Sequence, residues 1–447
     1  MLGGSAAWAA KPLVVDDDGA QCGSAAYTSI ADALDHAVDG DRIQVCPGVY
    51  REPLHITKSV TLVGPVDAVS RLDCFAAAPT TPGDLDTTQV AVLEPLVATT
   101  EATESLVMLD ADGVELAGFV VQGVIDDTAA IITVPPSATY PVYIPAVAAS
   151  DAHSGYRIHH NLIRSNTLGV ELGSSGDLPT RLDNNCLRDN EWAVANQRMV
   201  LDDAVLMGNT AFRTLVAGFE IGWSYRAAVD VTVRENVVEA GRYGILVENS
   251  RDARIAGNHV ASVRERGIWI SGASTNVEVI DNVVEGGFTT LPTAASGIAT
   301  TLTSSNIPLA RSTGVVIRGN TVSGIRATLP SGAIAGFGVA VGAGSLQGAV
   351  ITGNVVSGSG SAGITLVNNN PNNVLRGNLS SDNGTYGIRL QGALSIGNDL
   401  RGNTMHGNAL FDASDITDAN PADGLSNTWL DNECVTDEPA GALCLIE

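Results

Sequence analysis

The sequence predicts an all-β solenoid, a right-handed parallel β-helix with a short N-terminal capping helix and an irregular C-terminal cap. Three observations carry that prediction. An asparagine recurs down the chain with apolar residues on either side of it, a glycine-led phrase falls between successive asparagines, and the composition is rich in small residues. Gly accounts for 48 of 447 residues, aromatics for 4% and charged residues for 16%, while 45% of the chain is hydrophobic. A chain of this length exceeds what one globular core usually holds, and a small-residue, aromatic-poor composition favours growth by stacking over several separate domains.

The asparagines are Asn161, Asn185, Asn209, Asn236, Asn258, Asn282, Asn320, Asn354, Asn378 and Asn403, mostly 22–27 residues apart, with longer steps of 38 and 34 leading to Asn320 and Asn354. Aliphatic residues sit three before and two after them, as in Val233/Val238, Ile255/Val260, Val279/Val284, Ile317/Val322 and Ile351/Val356. That is strand alternation interrupted by a turn. The second phrase, Gly-aliphatic-x-aliphatic, appears at Gly169–Leu172, Gly218–Ile221, Gly244–Val247, Gly267–Ile270, Gly363–Leu366 and Gly387–Leu390. Units this short bury a face only by stacking on their neighbours. A leucine-rich repeat has a similar period but needs a fixed Leu frame and a helical segment, whereas Gly, Asn, Ser and Thr fill these gaps. The recurrent asparagines are expected to adopt the turn conformation and to hydrogen-bond from coil to coil as a ladder.

Open coil ends expose unpaired sheet edges and need covers. Tyr27, Ile30, Ala31, Leu34 and Val38 share one helical face, Ser29 with Asp32 suggests a capped start and Gly40 a stop, so residues 11–64 form an N-terminal cap and the first coils. Residues 65–407 hold the repeats. Residues 408–447 lose the period and read as the C-terminal cap. Residues 1–10 read as the tail of a secretory signal, consistent with an extracellular or cell-surface location. Six Cys fit an oxidising compartment, with Cys22–Cys46 and Cys434–Cys444 as expected disulfides and Cys74 and Cys186 unassigned. The Cys lack the paired spacing of a zinc site.

The net charge of −25 comes from 49 acidic residues against 24 Lys and Arg. No basic stripe exists to displace counterions, so nucleic acid is excluded as a partner, and no apolar run is long enough to span a membrane. A monomer is expected.

The stretch Ile30-Ala-Asp-Ala-Leu34, followed by Gly40-Asp-Arg-Ile-Gln-Val-Cys-Pro-Gly-Val-Tyr50 and Val60-Thr-Leu-Val-Gly64, resembles the entry segment of the pectin-lyase-like superfamily, and the repeats resemble its parallel β-helix repeats. The resemblance implies the fold over nearly the whole chain and a polysaccharide as partner. The superfamily includes lyases, glycoside hydrolases, epimerases and non-catalytic surface proteins. The Asn-Thr-Asp, Asp-Asp and Gly-His-Gly series of polygalacturonase-type hydrolases is absent as a set, and Asp151-Ala-His153 differs in its middle residue from the Asp-Pro-His element of the epimerases. Lyases of the superfamily use a Lys or Arg base. Both lysines, Lys11 and Lys58, precede the repeats, which leaves Arg242 or Arg266 for that role.

In superfamily members one sheet and its flanking loops form the substrate groove, and the resemblance places that sheet on the Gly-aliphatic-x-aliphatic strands. Its outward positions are then Glu171, Ala195, Glu220, Leu246, Trp269, Ala299, Ala340, Thr365 and Arg389. Glu171 and Glu220 are candidates for the acid and base of a glycosidase. Trp192, Trp223, Tyr225, Arg226, Tyr243 and Trp269 are the candidate substrate-binding residues, because flat aromatic faces stack on sugars and guanidinium forks grip carboxylates. No cofactor is required by these residues. Ca²⁺ is the candidate ion, with Asp126-Asp127, Asp202-Asp203 and Glu220 with Glu248 as donors, while Asp16-Asp17-Asp18 reads as a solvated turn. His159, His160 and His259 read as surface strand residues. The added residues around Gly286–Ser296 and Gly324–Gly336, together with the Pro-rich stretch from Asp126 to Ser150, are expected to wall a binding surface.

Overall fold

The computed structural model describes residues 11–76, 85–95, 105–123, 145–223, 226–286, 288–290, 294–302, 311–417 and 426–444. They fall into two compact units, residues 1–190 and 191–447. The signal-like segment 1–10, Tyr225, Asp126-Asp127 and most of the Pro-rich stretch lie outside the described residues.

Both units are right-handed parallel β-helix. Short strands recur in three sheets, and each pairs in parallel with the equivalent strand of the next coil. In the first unit Leu54–Ile56, Val107–Leu109, Pro145–Ala149 and Leu168–Leu172 follow one another in one sheet. In the second unit the same arrangement runs through Trp192–Ala195, Ala217–Ile221, Tyr243–Glu248, Arg266–Ser271, Ser296–Thr301, Phe337–Val341, Ile364–Val367, Tyr386–Gln391, Phe411–Ile416 and Asp437–Glu438. Alternation puts Phe219, Ile245, Ile268, Ile298, Val339, Ile364 and Ile388 inward in register, all fully or almost fully buried.

The asparagine ladder forms. Both the backbone N–H and Nδ2 of Asn282 donate to Asn320 Oδ1 at 2.9 Å, and Nδ2 also donates to the Ile255 carbonyl at 2.9 Å. The pattern repeats from Asn209 through Asn236, Asn258, Asn354, Asn378 and Asn403 to Asn432. The expected turn conformation belongs, however, to the residue ahead of each asparagine: Glu235, Gly257, Asp281, Gly319 and Gly353 carry the positive φ. The asparagine itself is buried, because its amide must face the backbone groups that the bend leaves unpaired.

The glycine of the second phrase is required by space. A Cβ on Gly244 would lie 2.3 Å from the Gly267 carbonyl oxygen and 2.5 Å from Val260 Cγ1, and Gly218, Gly267, Gly297 and Gly338 meet the next glycine's carbonyl in the same way.

At the N-terminus the helix spans Ile30–His36 and ends before Gly40, at Ala37. Its buried face is Ile30, Ala33 and Leu34. Two residues of the expected face are corrected: Val38 lies beyond the early stop and is exposed, and Ala31, inside the helix, is half-buried. Ser29 Oγ accepts from Asp32 N–H as expected, and Glu52 from the following coil adds a second cap, taking the N–H groups of Ile30 and Ala31 at 2.8 and 3.1 Å. At the other end residues 408–447 carry further strands, Phe411–Ile416, Thr428–Leu430 and Asp437–Glu438, and Asn427 and Asn432 extend two ladders.

Cys22–Cys46 and Cys434–Cys444 are disulfides, with Cα separations of 6.3 and 5.3 Å. Cys74–Cys186 is a third, closing a separation of 112 residues inside the first unit. In the added segments, Phe288–Thr290, Arg326–Thr328 and Ile334–Ala335 form a small extra sheet. Among the described residues no helix is long and apolar enough to cross a membrane.

Candidate functional site

The outward row expected from the sequence is in register throughout the second unit. Glu220 pairs with Leu246, then Trp269, Ala299, Ala340, Thr365 and Arg389 follow strand by strand, and Ser414 and Glu438 extend the row. Its exposure differs from expectation. Ala195, Glu220, Leu246, Ala299 and Thr365 are buried, whereas Trp269, Ala340 and Arg389 are half-buried.

Glu220 is covered by side chains of the coil before it. Gln197 Nε2 donates to Glu220 Oε2 at 3.0 Å, and the Trp192 indole donates to the same carboxyl. Burial, reinforced by the nearby Glu248 charge, outweighs these donors and pushes the Glu220 pKa up to about 8. At neutral pH the group is therefore mostly a neutral acid. Glu191, in the preceding loop, is also pushed up by burial. Glu171 lies in the first unit, on Leu168–Leu172 beside Ala148, and is fully buried. Gln197 was not singled out in the sequence. Its position in a turn after a short strand carries no pattern that marks it as the partner of a residue 23 positions on.

Two strands beyond Glu220, roughly 9–10 Å at the usual inter-strand spacing, an aromatic and guanidinium cluster forms. The Arg266 guanidinium lies 3.8 Å from the Trp269 ring centroid, and Tyr243 tilts against Trp269 with 5.2 Å between centroids. Arg242 covers Tyr243 at 4.9 Å and donates through Nε to Glu265 Oε1 at 2.7 Å, while the Tyr243 hydroxyl donates to Glu265 Oε2 at 3.0 Å. Trp269 Nε1 is fixed by Thr301 Oγ1 at 2.9 Å. The sequence reason is a one-coil offset: Tyr243 and Arg266 hold equivalent positions on adjacent strands, so both reach the ring that projects from Trp269.

Electrostatics separates the two arginines. Burial works against the charge of Arg242, yet the Glu265 hydrogen bond and the neighbouring Tyr243 and Glu265 leave its pKa above the usual guanidinium range. Burial depresses that of Arg266. Burial and Glu265 raise that of Tyr243, which stays a donor. Trp223 and Arg226 bond to each other through their backbones in the turn after Ala217–Ile221, with Trp223 half-buried and Arg226 exposed.

Among the described residues the groups of three possible metal ligands are Asp16 with Cys22 and Cys46, and Asp16, Asp17 and Asp18. The cysteines are bonded to each other, and the three carboxylates accept the backbone N–H groups of Cys22, Val49 and Ala20. Asp202-Asp203 stands on Leu201–Met207, in a different sheet from Glu220 and Glu248, so these calcium donors do not converge.

Residues 129–288 match the family described as periplasmic copper-binding protein (NosD), and residues 293–443 match that described as right handed beta helix region. The described residues of the first segment do not fit a copper centre. Cys186 is in a disulfide, His159 Nε2 lies 2.8 Å from Glu115, His259 faces Glu285, and no trio of His, Cys, Asp or Glu converges there. No curated protein sequence matches the chain. Among solved structures, the catalytic unit of the thermostable GH87 alpha-1,3-glucanase from Streptomyces thermodiastaticus is 18% identical, with a TM-score of 0.54 over 91% of this chain and 66% of that one. The Agl-KA catalytic domain is 11% identical with a TM-score of 0.51 over 90% and 64%. The mannuronan C-5 epimerase AlgE4 A-module from Azotobacter vinelandii is 12% identical with a TM-score of 0.44 over 90% and 88%. The chain spans just under two thirds of the first two, and the likeness to them is one of fold.

Proposed function

We propose that this chain, a right-handed parallel β-helix protein of the pectin-lyase-like superfamily, is a carbohydrate-active protein that works outside the cytoplasm and binds a polysaccharide along the outward row of its second unit. The observation that carries the reading is the platform of Tyr243, Arg266 and Trp269, in which two mutually tilted rings and a guanidinium gather beside a buried neutral acid. Aromatic faces shed water readily and match the C–H faces of sugars, while the Arg242 fork remains a donor for hydroxyls or carboxylates. The glucanase of like fold acts by name on a polysaccharide, which supports the same class of partner here. Three disulfides and the periplasmic description of the matched family support an oxidising compartment.

The same geometry favours acid chemistry over base chemistry. Glu220 holds a proton at neutral pH, as a glycosidase acid must, and Glu265 keeps the proton on Arg242, which leaves Arg266 as the arginine nearer to serving a lyase. The test is a panel of neutral and acidic glycans against the full chain, read by binding, by reducing ends and by absorbance of unsaturated products, with and without Ca²⁺. Trp269→Ala should weaken binding at least about tenfold, the order expected of a lost stacking contact with its buried area. Reducing ends lost in Glu220→Gln would assign hydrolysis, and unsaturated products lost in Arg266→Ala would assign a lyase. Glycan binding unaffected by Trp269→Ala would overturn the platform. Silence across the panel would favour a non-catalytic surface or adhesion protein.

A further inference from the structure

Four strands along the row from Trp269, roughly 19 Å at the inter-strand spacing, stands a second cation held against a ring. The Arg389 guanidinium lies 4.2 Å from the Tyr386 centroid, and Tyr386 stacks on Phe411 with 6.3 Å between centroids and 21° between planes. Arg389 Nε is buried without a hydrogen-bond partner, and among the described residues no carboxylate lies in ion-pair range of it. Arg242, Arg254, Arg376 and Arg401 are each paired with a carboxylate, whereas Arg389, like Arg266, is in no ion pair among the described residues. A guanidinium stacked by one face keeps its edge free, and the edge is the part that grips an anion with two parallel N–H donors. Between the two cations the row carries the short side chains Ala299, Ala340 and Thr365, of which Ala340 is half-buried and the other two are buried among their neighbours.

We propose that Arg389, oriented by Tyr386 and Phe411, is an anion subsite that takes a uronate carboxylate of the polysaccharide bound at Trp269. The inference rests on the glycan-binding reading of the row and makes the glycan an acidic one. A planar carboxylate matches the fork, and the ring beneath prevents the guanidinium from turning toward solvent. The separation from Trp269 requires a ligand several sugar rings long, so monosaccharides bind at one end only.

The test is calorimetric titration of the full chain with an oligogalacturonate, its methyl ester and a neutral glucan oligomer of equal length. The wild type should prefer the free acid to the ester. Arg389→Gln should lose about ten- to a hundredfold in affinity for the acid, the loss expected of one charge-assisted pair, and leave ester and glucan unchanged. Arg389→Lys, which keeps the charge and most of the packing, should retain part of the preference, and circular dichroism checks that each variant folds. Equal loss for acid and ester, or none for either, would overturn the subsite. If Trp269→Ala abolishes binding while Arg389→Gln changes nothing, the platform stands and the subsite falls. If the wild type binds none of the three, the glycan reading falls and takes the subsite with it.

Discussion

Glu220→Gln isolates the cost of one buried carboxyl. The wild-type group sits 1% exposed, and its pKa rises from 4.5 to about 8, a shift of roughly 3.5 units at about 1.4 kcal/mol each. An acid raised on folding binds its proton more tightly in the native state than in the unfolded chain. Its stabilising contribution is therefore complete below the unfolded value and is lost as pH rises toward the folded one. Between pH 5 and pH 8 the wild type should lose about 3 kcal/mol from this group alone. Gln has nearly the same shape, can accept from Gln197 and Trp192 through its carbonyl, and does not titrate. Guanidinium unfolding followed by tryptophan fluorescence at several pH values in this window should show the wild-type midpoint falling with pH. The variant should stay nearly level and be the more stable protein at pH 8. Parallel curves for the two would refute the buried-acid assignment, because a solvated Glu220 would be ionised throughout the window in both states.

The remaining predictions concern the fold. Asn282→Ala removes the acceptor for Asn258 and the donor to Ile255 and Asn320, and should destabilise by roughly 3 kcal/mol or more in the same unfolding assay, with Asn282→Asp no better. Asp110 in the first unit has its pKa lowered, first by the His55 hydrogen bond at 3.0 Å and then, against burial, by Ser150 and His153. Its contribution is present above the ordinary carboxyl pKa and is lost as pH falls through the depressed one, so His55→Gln should flatten the acid limb of the stability curve and leave neutral pH stability little changed.

The period of the chain was enough to read the fold, because each coil repeats the same demand. A bend leaves backbone groups that only a buried amide can satisfy, and Asn282, Asn320 and their equivalents announce it in every repeat. The glycine column is legible for a similar reason, since Gly244 faces a carbonyl that any side chain would strike. The register of the outward row and the disulfides Cys22–Cys46 and Cys434–Cys444 follow from local spacing too. Cys74 and Cys186 were opaque, because their 112-residue separation becomes proximity only through stacking. So was the second helix cap from Glu52.

For the site, the sequence by itself determined which residues share a row and that aromatics and arginines gather near Trp269. Only the tertiary structure decided their chemistry. Outward on a strand does not mean exposed: Gln197 and Trp192 close over Glu220 and make it an acid, Glu265 holds Arg242 as a cation, and Arg389 lies on Tyr386 with no carboxylate in ion-pair range among the described residues. The alternation of a strand sets a side chain's direction, but its charge state depends on which neighbours from adjacent coils cover it, and that is a property of packing.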